Sequence, residues 1–136
     1  MSIQILFVCT GNTCRSPMAE ALAEARGVSA ASAGVAAAAG DGATPNAVRA
    51  LRDARGLSLQ NHTPRDVSDV DPSRADRIVA MSPSVARRLR TEHDVDPTAL
   101  VTWAIPDPYG GSLADYRRCL EQIGTALDDL GGPEPG

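Results

Sequence analysis

The sequence predicts an α/β fold, a small doubly wound sheet of four parallel strands flanked by helices. Residues Ile3 to Val8 form a continuous apolar run, typical of a central parallel strand that is covered on both faces. Short apolar segments then alternate with longer segments of helical periodicity, as in βαβ units with right-handed crossovers. The clearest helical period has apolar residues at Leu113, Tyr116, Leu120, Ile123, Leu127 and Leu130. We therefore expect one domain over residues 1–136, with a frayed tail over 131–136.

The bounds of the individual elements follow from residues that begin and end helices. Proline is common at the first position of a helix and glycine just beyond its end. Gly27 and Gly56 follow two of the predicted helices in this way. The predicted strands are, in chain order, Ile3–Val8, Ser29–Ala33, Arg77–Met81 and Leu100–Trp103. The predicted helices run from about Pro17 to Arg26, from Thr44 to near Gly56, from Ser82 onward, and from about Ser112 to Leu130.

Two stretches have weaker patterns. Val35 to Gly42 is expected to be a loop of small residues. Residues 57–75 contain turn and helix-start signals, among them Thr63-Pro64 and Asp71-Pro72, and Leu57 to Leu59 could form a short extended segment. Neither stretch is counted among the four strands of the sheet.

A cysteine and an arginine separated by five residues, Cys9 and Arg15, lie where the first strand passes into the first helix. The backbone N–H groups of such a turn and of the helix N-terminus point at one spot and make an anion site. A cysteine there is expected to be held as the nucleophilic thiolate, and the Arg15 guanidinium is suited to bidentate phosphate binding. The other residues of this phosphate-binding loop are Thr10, Gly11, Asn12, Thr13, Cys14 and Ser16. The sequence thus predicts a phosphate site with a nucleophile at its base.

The composition of the loop makes this pattern more specific than a chance cysteine and arginine. Gly11 permits a tight turn, and Asn12 tolerates positive φ. Ser16 could place its hydroxyl beside the sulfur and also cap a helix that begins at Pro17. A buried structural cysteine beside a solvated arginine is the alternative, but it leaves these residues unexplained together.

Two segments carry a resemblance to a known family. The segment from Phe7 to Pro17 resembles the signature of the low-molecular-weight protein tyrosine phosphatases, and Asp107-Pro108-Tyr109 resembles their acid loop. Ser32-Ala33-Gly34 also matches, and the resemblance extends from about Ile3 to the last helix. It implies the flavodoxin-like fold of these phosphatases and phosphorylated proteins as substrates.

The expected reaction follows from these residues. The Cys9 thiolate would attack phosphorus in line to form a phosphocysteine, while the loop N–H groups and Arg15 hold the phosphoryl oxygens. Asp107 follows the fourth predicted strand as Cys9 follows the first, so both would lie at the same edge of a parallel sheet. Asp107 would protonate the leaving atom and then act as base on the hydrolytic water. No metal or other cofactor is required in this scheme.

Composition limits the partners and the compartment. The net charge of −4 and a pI near 5.0 argue against nucleic acid. No stretch approaches the roughly 20 apolar residues of a membrane span, and Met1 leads directly into a strand. Three cysteines, two of them in one loop, do not make a disulfide framework. We therefore expect a cytoplasmic protein with no nucleic-acid or membrane partner.

Further candidate residues lie around the predicted site. Tyr109 is expected to form an aromatic wall of the substrate pocket, with a packed loop anchor as the alternative. His62 could hydrogen-bond toward Asn12, as a histidine does in the family, or be a structural histidine. Cys14 could form a reversible disulfide with the nucleophile under oxidation, whereas Cys119 is expected to be core.

The substrate side chain is suggested by two departures from the family pattern. Many members carry a bulky aliphatic residue at the position of Thr13 and a second aromatic residue at the position of Gly110. A substrate pocket with a smaller residue at its rim and one aromatic wall is expected to bind a phenyl ring less well and to admit a polar guanidinium. The combination resembles the bacterial protein arginine phosphatases of the family, so phosphoarginine is slightly favoured over phosphotyrosine.

Three other functions are weighed against a phosphatase. Thioredoxin-coupled arsenate reductases share the fold and a similar loop but need resolving cysteines in mid-chain, and no cysteine lies between Cys14 and Cys119. A non-catalytic phosphate-binding module would need neither Cys9 nor Asp107. A redox sensor built on Cys9 and Cys14 would show thiol chemistry without phosphatase turnover.

Overall fold

Strands and helices alternate along the chain as the sequence predicts. The computed structural model describes residues 3–37 and 42–130. The strands are β1 (Ile3–Cys9), β2 (Ala30–Gly34), β3 (Ala75–Ala80) and β4 (Leu100–Thr102). The α-helices are α1 (Arg15–Ala25), α2 (Pro45–Arg55), α3 (Pro83–Glu92) and α4 (Leu113–Asp129), and short 3₁₀ helices cover Val67–Asp69 and Pro72–Arg74.

The four strands form one parallel sheet in the order β2-β1-β3-β4, which confirms the predicted fold class. Strand β1 is central, and its Val8 pairs with Ala33 on one side and Ala80 on the other. The last five residues of β1 are buried, which is why this strand reads as an uninterrupted apolar run. Cys9 is the last residue of this strand and lies at the carboxyl edge of the sheet, where the following loop begins.

Helices cover both faces of the sheet. Phe7 belongs to a core cluster that includes residues of α1, α2 and α4. Leu6 and Val8, which point to the opposite face, pack in a second cluster with Val85 and Leu89 of α3. Three helices therefore lie on one face, and α3 lies on the other.

The structure shifts several of the expected element bounds by one or two residues. Strand β3 begins at Ala75 rather than Arg77, because its pairing with β1 includes exposed residues that carry no apolar pattern. Leu57 to Leu59 is not a strand. Part of the predicted small-residue loop, residues 38–41, and the predicted tail, residues 131–136, lie outside the described residues.

Among the helices of the described residues, none is long and apolar enough to cross a membrane.

Candidate active site

The predicted site residues of two separate loops line one cavity. The phosphate loop (residues 9–16) follows β1, and the acid loop (residues 106–112) precedes α4. A cavity of about 240 Å³ lies between them. It is lined by Cys9, Thr10, Gly11, Thr13, Cys14, Arg15, Asp107 and Tyr109. Two other predicted residues of the phosphate loop, Asn12 and Ser16, are fully buried.

The Cys9 sulfur is surrounded by hydrogen-bonding groups. Its Sγ lies 2.9 Å from the Ser16 hydroxyl and accepts the Asn12 backbone N–H at 3.3 Å. It also stands at the start of α1, whose N-terminal dipole favours a negative charge. The sulfur therefore lies at the base of the cavity, with a hydroxyl and a backbone N–H directed at it.

The expectation that Ser16 caps the first helix is wrong. Helix α1 begins at Arg15, the N-cap residue is Cys14, and no side chain caps this helix end. The Ser16 hydroxyl is instead directed to Cys9 Sγ and lies 3.4 Å from the Ala33 carbonyl, to which it can donate. The Ser16 side chain is therefore used to contact the Cys9 sulfur rather than to cap the helix.

Asn12 braces the phosphate loop from behind. Its φ of 58° is the left-handed conformation that the sequence predicts for this residue. Its side-chain amide donates to Ser16 Oγ at 2.8 Å and to Ser32 Oγ at 3.0 Å, and its Oδ1 accepts the Arg65 N–H at 2.9 Å. His62 Nε2 donates to the Asn12 carbonyl at 2.7 Å, which confirms the predicted contact.

Sequence reasoning missed Ser32 and Glu20 as supports of this loop. The buried Ser32 hydroxyl donates to Glu20 Oε1 at 2.6 Å while accepting from Asn12. A buried polar residue needs a partner, and the sequence signals for Ser32 were its place in an otherwise small, apolar strand and the family match of Ser32-Ala33-Gly34, neither of which names its partners. The chain of contacts links the catalytic loop to β2 and α1.

The glycine that the loop requires is Gly34, at the end of β2. A Cβ at Gly34 would lie 2.5 Å from the Thr10 carbonyl oxygen, so any side chain would displace the phosphate loop. Gly11, for which the sequence suggests a tight turn, does not have positive φ, and a Cβ there would meet only Thr13 Oγ1 at 3.6 Å. A side chain is therefore excluded where β2 approaches the loop, at Gly34, and not at Gly11.

Arg15 presents one edge of its guanidinium to the cavity. The residue is only 4% exposed, and its Nη1 donates to the Ile105 carbonyl at 2.9 Å. Its Nη2 lies 3.8 Å from Asp107 Oδ2, and its Nε has no hydrogen-bond partner within the described residues. One nitrogen thus anchors the side chain, which leaves Nε and Nη2 to bind two oxygens of an anion side by side.

The acid loop is held mainly by contacts within itself. Asp107 Oδ1 accepts the Tyr109 N–H at 3.1 Å, and the Gly111 N–H donates to the Pro108 carbonyl at 2.8 Å. Ser112 and Asp115 form a capping box at the start of α4. Tyr109 is 71% exposed at the cavity wall, so it lies where the sequence predicts an aromatic wall rather than being a packed anchor.

Two residues on other elements contact Cys14. Thr44 Oγ1 lies 3.4 Å and the Tyr116 hydroxyl 3.5 Å from Cys14 Sγ. Thr44 is the N-cap residue of α2 but makes no side-chain cap bond. Burial raises the pKa of Tyr116 to about 12, so it stays a neutral phenol. The sequence indicated Tyr116 only as a core residue, because periodicity does not reveal where a hydroxyl points.

Cys119 is a core residue, as predicted. It is buried on α4, and burial raises the pKa of its thiol to about 12. It also lines a second cavity of about 240 Å³, which shares Asp107 and Tyr109 with the first. Arg15 supplies the positive charge of the catalytic cavity, and the Asp107 carboxyl lines the same cavity. Within residues 3–37 and 42–130, no three His, Cys, Asp or Glu residues are grouped to hold a metal ion.

Comparison with known proteins assigns the family. The model of the low molecular weight phosphotyrosine protein phosphatases matches residues 4–132. The chain belongs to this family. It is 37% identical over 143 residues to the protein-arginine-phosphatase of Bacillus subtilis, covering 94% of each chain. Arsenate reductases are also relatives, such as that of Brevibacillus brevis, with 37% identity over 131 residues and 90% of each chain covered.

Solved structures agree with this assignment. The low molecular weight protein tyrosine phosphatase of T. tengcongensis has a TM-score of 0.86 and 34% identity, covering 95% of this chain and 97% of its own. The YwlE arginine phosphatase, in a cysteine-to-serine form with a phosphorylated active-site serine, has a TM-score of 0.83 and 30% identity, covering 94% and 93%. The fold of this chain is thus the fold of the family.

Proposed function

We propose that the protein hydrolyses phosphorylated protein side chains with Cys9 as nucleophile, Arg15 as phosphoryl-binding residue and Asp107 as general acid. The observation that carries this assignment is that all three line one cavity, although they come from loops about 90 residues apart in the chain. The Cys9 thiolate attacks phosphorus, the P–O or P–N bond to the substrate breaks, and a phosphocysteine forms. The N–H groups of the phosphate loop and the Nε–Nη2 edge of Arg15 hold the equatorial oxygens.

Asp107 stands where a leaving group would emerge. Its carboxyl is half-exposed, and its Oδ2 is the atom nearer to Arg15. In the first step it gives a proton to the departing atom, and in the second it takes one from the water that attacks the phosphocysteine. The second step releases inorganic phosphate and restores the Cys9 thiolate. A reducing compartment such as the cytoplasm keeps that thiolate active.

The substrate side chain that we favour slightly is phosphoarginine. Thr13 lines the cavity with a small hydroxyl-bearing side chain, and Tyr109 is followed by Gly110 instead of a second aromatic ring. A guanidinium can hydrogen-bond to such a rim, whereas a phenyl ring would have one aromatic face to pack against. Relatives named as arginine phosphatases support this assignment. The alternative is phosphotyrosine, which the exposed Tyr109 ring favours.

The deciding experiment measures kcat/KM of the reduced enzyme on matched phosphoarginine and phosphotyrosine peptides. We expect the wild type to prefer phosphoarginine, and Thr13→Ile to shift the ratio toward phosphotyrosine. Thr10→Ile, at another threonine that lines the cavity, is the matched control for added bulk. The reverse preference in the wild type would assign phosphotyrosine, and an unchanged ratio in Thr13→Ile would remove Thr13 as the selecting residue.

If neither peptide is hydrolysed, the activity to test next is arsenate reduction, as in the arsenate reductases among the relatives. That reaction needs resolving thiols, and outside the phosphate loop the chain offers only Cys119, which is buried and remains protonated up to a pKa of about 12. Arsenate-dependent oxidation of thioredoxin would reveal such an activity directly.

A further inference from the structure

A positively charged seam runs along α2 and α4 on the outside of the protein. Asp53 on α2 has three arginines around its carboxylate: Arg49 Nε at 3.7 Å, Arg52 Nε at 3.6 Å and Arg117 Nη2 at 3.7 Å. The guanidinium of Arg55 lies over α4, with Nη2 3.5 Å from where a Cβ at Gly124 would stand. These four arginines and Asp53 are called the arginine seam below.

Among the described residues, one carboxylate, that of Asp53, is paired with the arginines of the seam, which leaves most of their charge uncompensated. The side chains of Arg49, Arg52 and Arg117 are 59%, 58% and 55% exposed. Even counting Glu121, one turn beyond Arg117 on α4, the seam has more guanidinium groups than carboxylates. The seam is therefore locally positive in a chain whose net charge is −4.

Stability does not account for the seam. Exposed ion pairs contribute roughly 0–1 kcal/mol each, and like charges held side by side oppose that gain. Exposed guanidinium groups are, in contrast, well suited to bind carboxylate or phosphate groups of a partner.

The seam begins beside the catalytic cavity. At the start of α2, the Thr44 N–H donates to the Thr13 carbonyl at 2.9 Å, and Asn46 Nδ2 donates to the Gly111 carbonyl at 3.4 Å. Helix α2 therefore leads outward from the point where the phosphate loop and the acid loop meet. At 1.5 Å per residue, Arg49 and Arg52 lie about 8 and 12 Å along the helix from Thr44.

An extended peptide advances about 3.3 Å per residue. A substrate segment that leaves the cavity along α2 would therefore bring residues roughly two to four positions from the phosphorylated one onto Arg49 and Arg52. We propose that the arginine seam binds acidic side chains of the protein substrate at these positions. This inference rests on the proposed phosphatase function and adds the kind of sequence on which the enzyme acts.

The test compares peptides that carry the same phosphorylated residue, with either Asp or Asn at the second to fourth positions on each side. The seam variant is Arg49→Gln with Arg52→Gln. The control variant is Arg87→Gln with Arg90→Gln, which makes the same change in net charge on exposed residues of α3, across the sheet. p-Nitrophenyl phosphate, which is too small to reach the seam, reports the basal activity.

We expect the wild type to prefer one of the Asp peptides by about three- to tenfold in kcat/KM, mainly through KM, since exposed ion pairs are individually weak. The seam variant should lose this preference and keep its activity on p-nitrophenyl phosphate. The control variant should keep both. Raising salt from 50 to 300 mM should weaken the preference, because exposed charges are screened.

Several outcomes would overturn the proposal. They are no preference in the wild type, an unchanged preference in the seam variant, or an equal loss in the control variant. Seam-dependent binding of a single-stranded oligonucleotide without any peptide preference would assign the surface to nucleic acid instead.

Failure of the proposed function is distinguishable from these outcomes. If no phosphopeptide is hydrolysed, the same Asp and Asn peptides are titrated into the Cys9→Ser variant by fluorescence anisotropy. Tighter binding of the Asp peptide, lost on Arg49→Gln with Arg52→Gln, supports the seam without any turnover. Equal binding of the two peptides contradicts it.

Discussion

The phosphate loop and the acid loop face each other across one cavity but are built in opposite ways. In the phosphate loop, Asn12, Arg15 and Ser16 are buried, and their side chains bond to β2 and to the segment before the acid loop. In the acid loop, Asp107 and Tyr109 are exposed, and the loop is held by turns within itself and by the capping box of α4. The loop that binds the invariant phosphoryl group is fixed from all sides. The loop that meets the variable part of the substrate has one buried residue, Pro108, and its other residues are exposed or half-buried.

This difference predicts that changes in the phosphate loop affect every substrate alike. Changes in the acid loop should instead affect substrates according to their leaving groups. The predictions below test this contrast from the largest expected effect to the smallest.

Replacing the nucleophile should have the largest effect. Cys9→Ser should lower kcat by on the order of 10⁴–10⁶ on aryl phosphates and phosphopeptides alike, because the serine hydroxyl is not ionised at neutral pH. The fold and the affinity for inorganic phosphate, measured by calorimetry, should be kept. Cys119→Ala, which removes a thiol outside the phosphate loop, is the control and should remain active. Turnover by Cys9→Ser near the wild-type rate would exclude a covalent route through Cys9.

Removing the acid should separate substrates by their leaving groups. Asp107→Ala should lower kcat/KM by about 10²–10³ on phenyl phosphate but by less than about tenfold on p-nitrophenyl phosphate, whose leaving group needs no proton. Asp96→Ala is the matched control, since Asp96 also precedes a proline and accepts a backbone N–H two residues on, from Thr98. Equal losses on both substrates would reject Asp107 as the acid and remove the contrast between the loops.

Removing a hydrogen bond that holds Asn12 should lower the activity on all substrates alike. Ser32→Ala removes the acceptor of one Asn12 N–H inside the protein, which costs about 1–3 kcal/mol. We expect kcat/KM to fall by about tenfold on both aryl phosphates, with a lower Tm. Ser29→Ala, at an exposed serine just before β2, should change neither quantity. A loss confined to one leaving group would mean that the network acts on the acid loop instead.

The same contrast explains what could be predicted from the sequence. The sheet, the four helices and the convergence of Cys9, Arg15 and Asp107 follow from patterns that are local in sequence, namely an apolar run, helical periods and loops that follow strands. The hydrogen bonds that hold the phosphate loop do not follow from such local patterns. Ser32 meets Asn12 and Glu20 only after β2 and α1 have packed against β1, and the Ser16 hydroxyl faces Cys9 rather than capping the helix.

The buried thiol of Cys119, beneath the acid loop, gives the smallest expected effect, and that effect is on stability. Burial raises the pKa of Cys119 from 9.0 to about 12. The unfolded chain therefore loses this proton near pH 9, whereas the folded protein keeps it until about pH 12, so the contribution of Cys119 to stability is complete below pH 9 and falls as the pH rises. Urea unfolding should show the stability difference between wild type and Cys119→Ala shrinking by up to about 1.4 kcal/mol per pH unit above pH 9. A constant difference would mean that the pKa of the Cys119 thiol is the same in the folded and the unfolded chain.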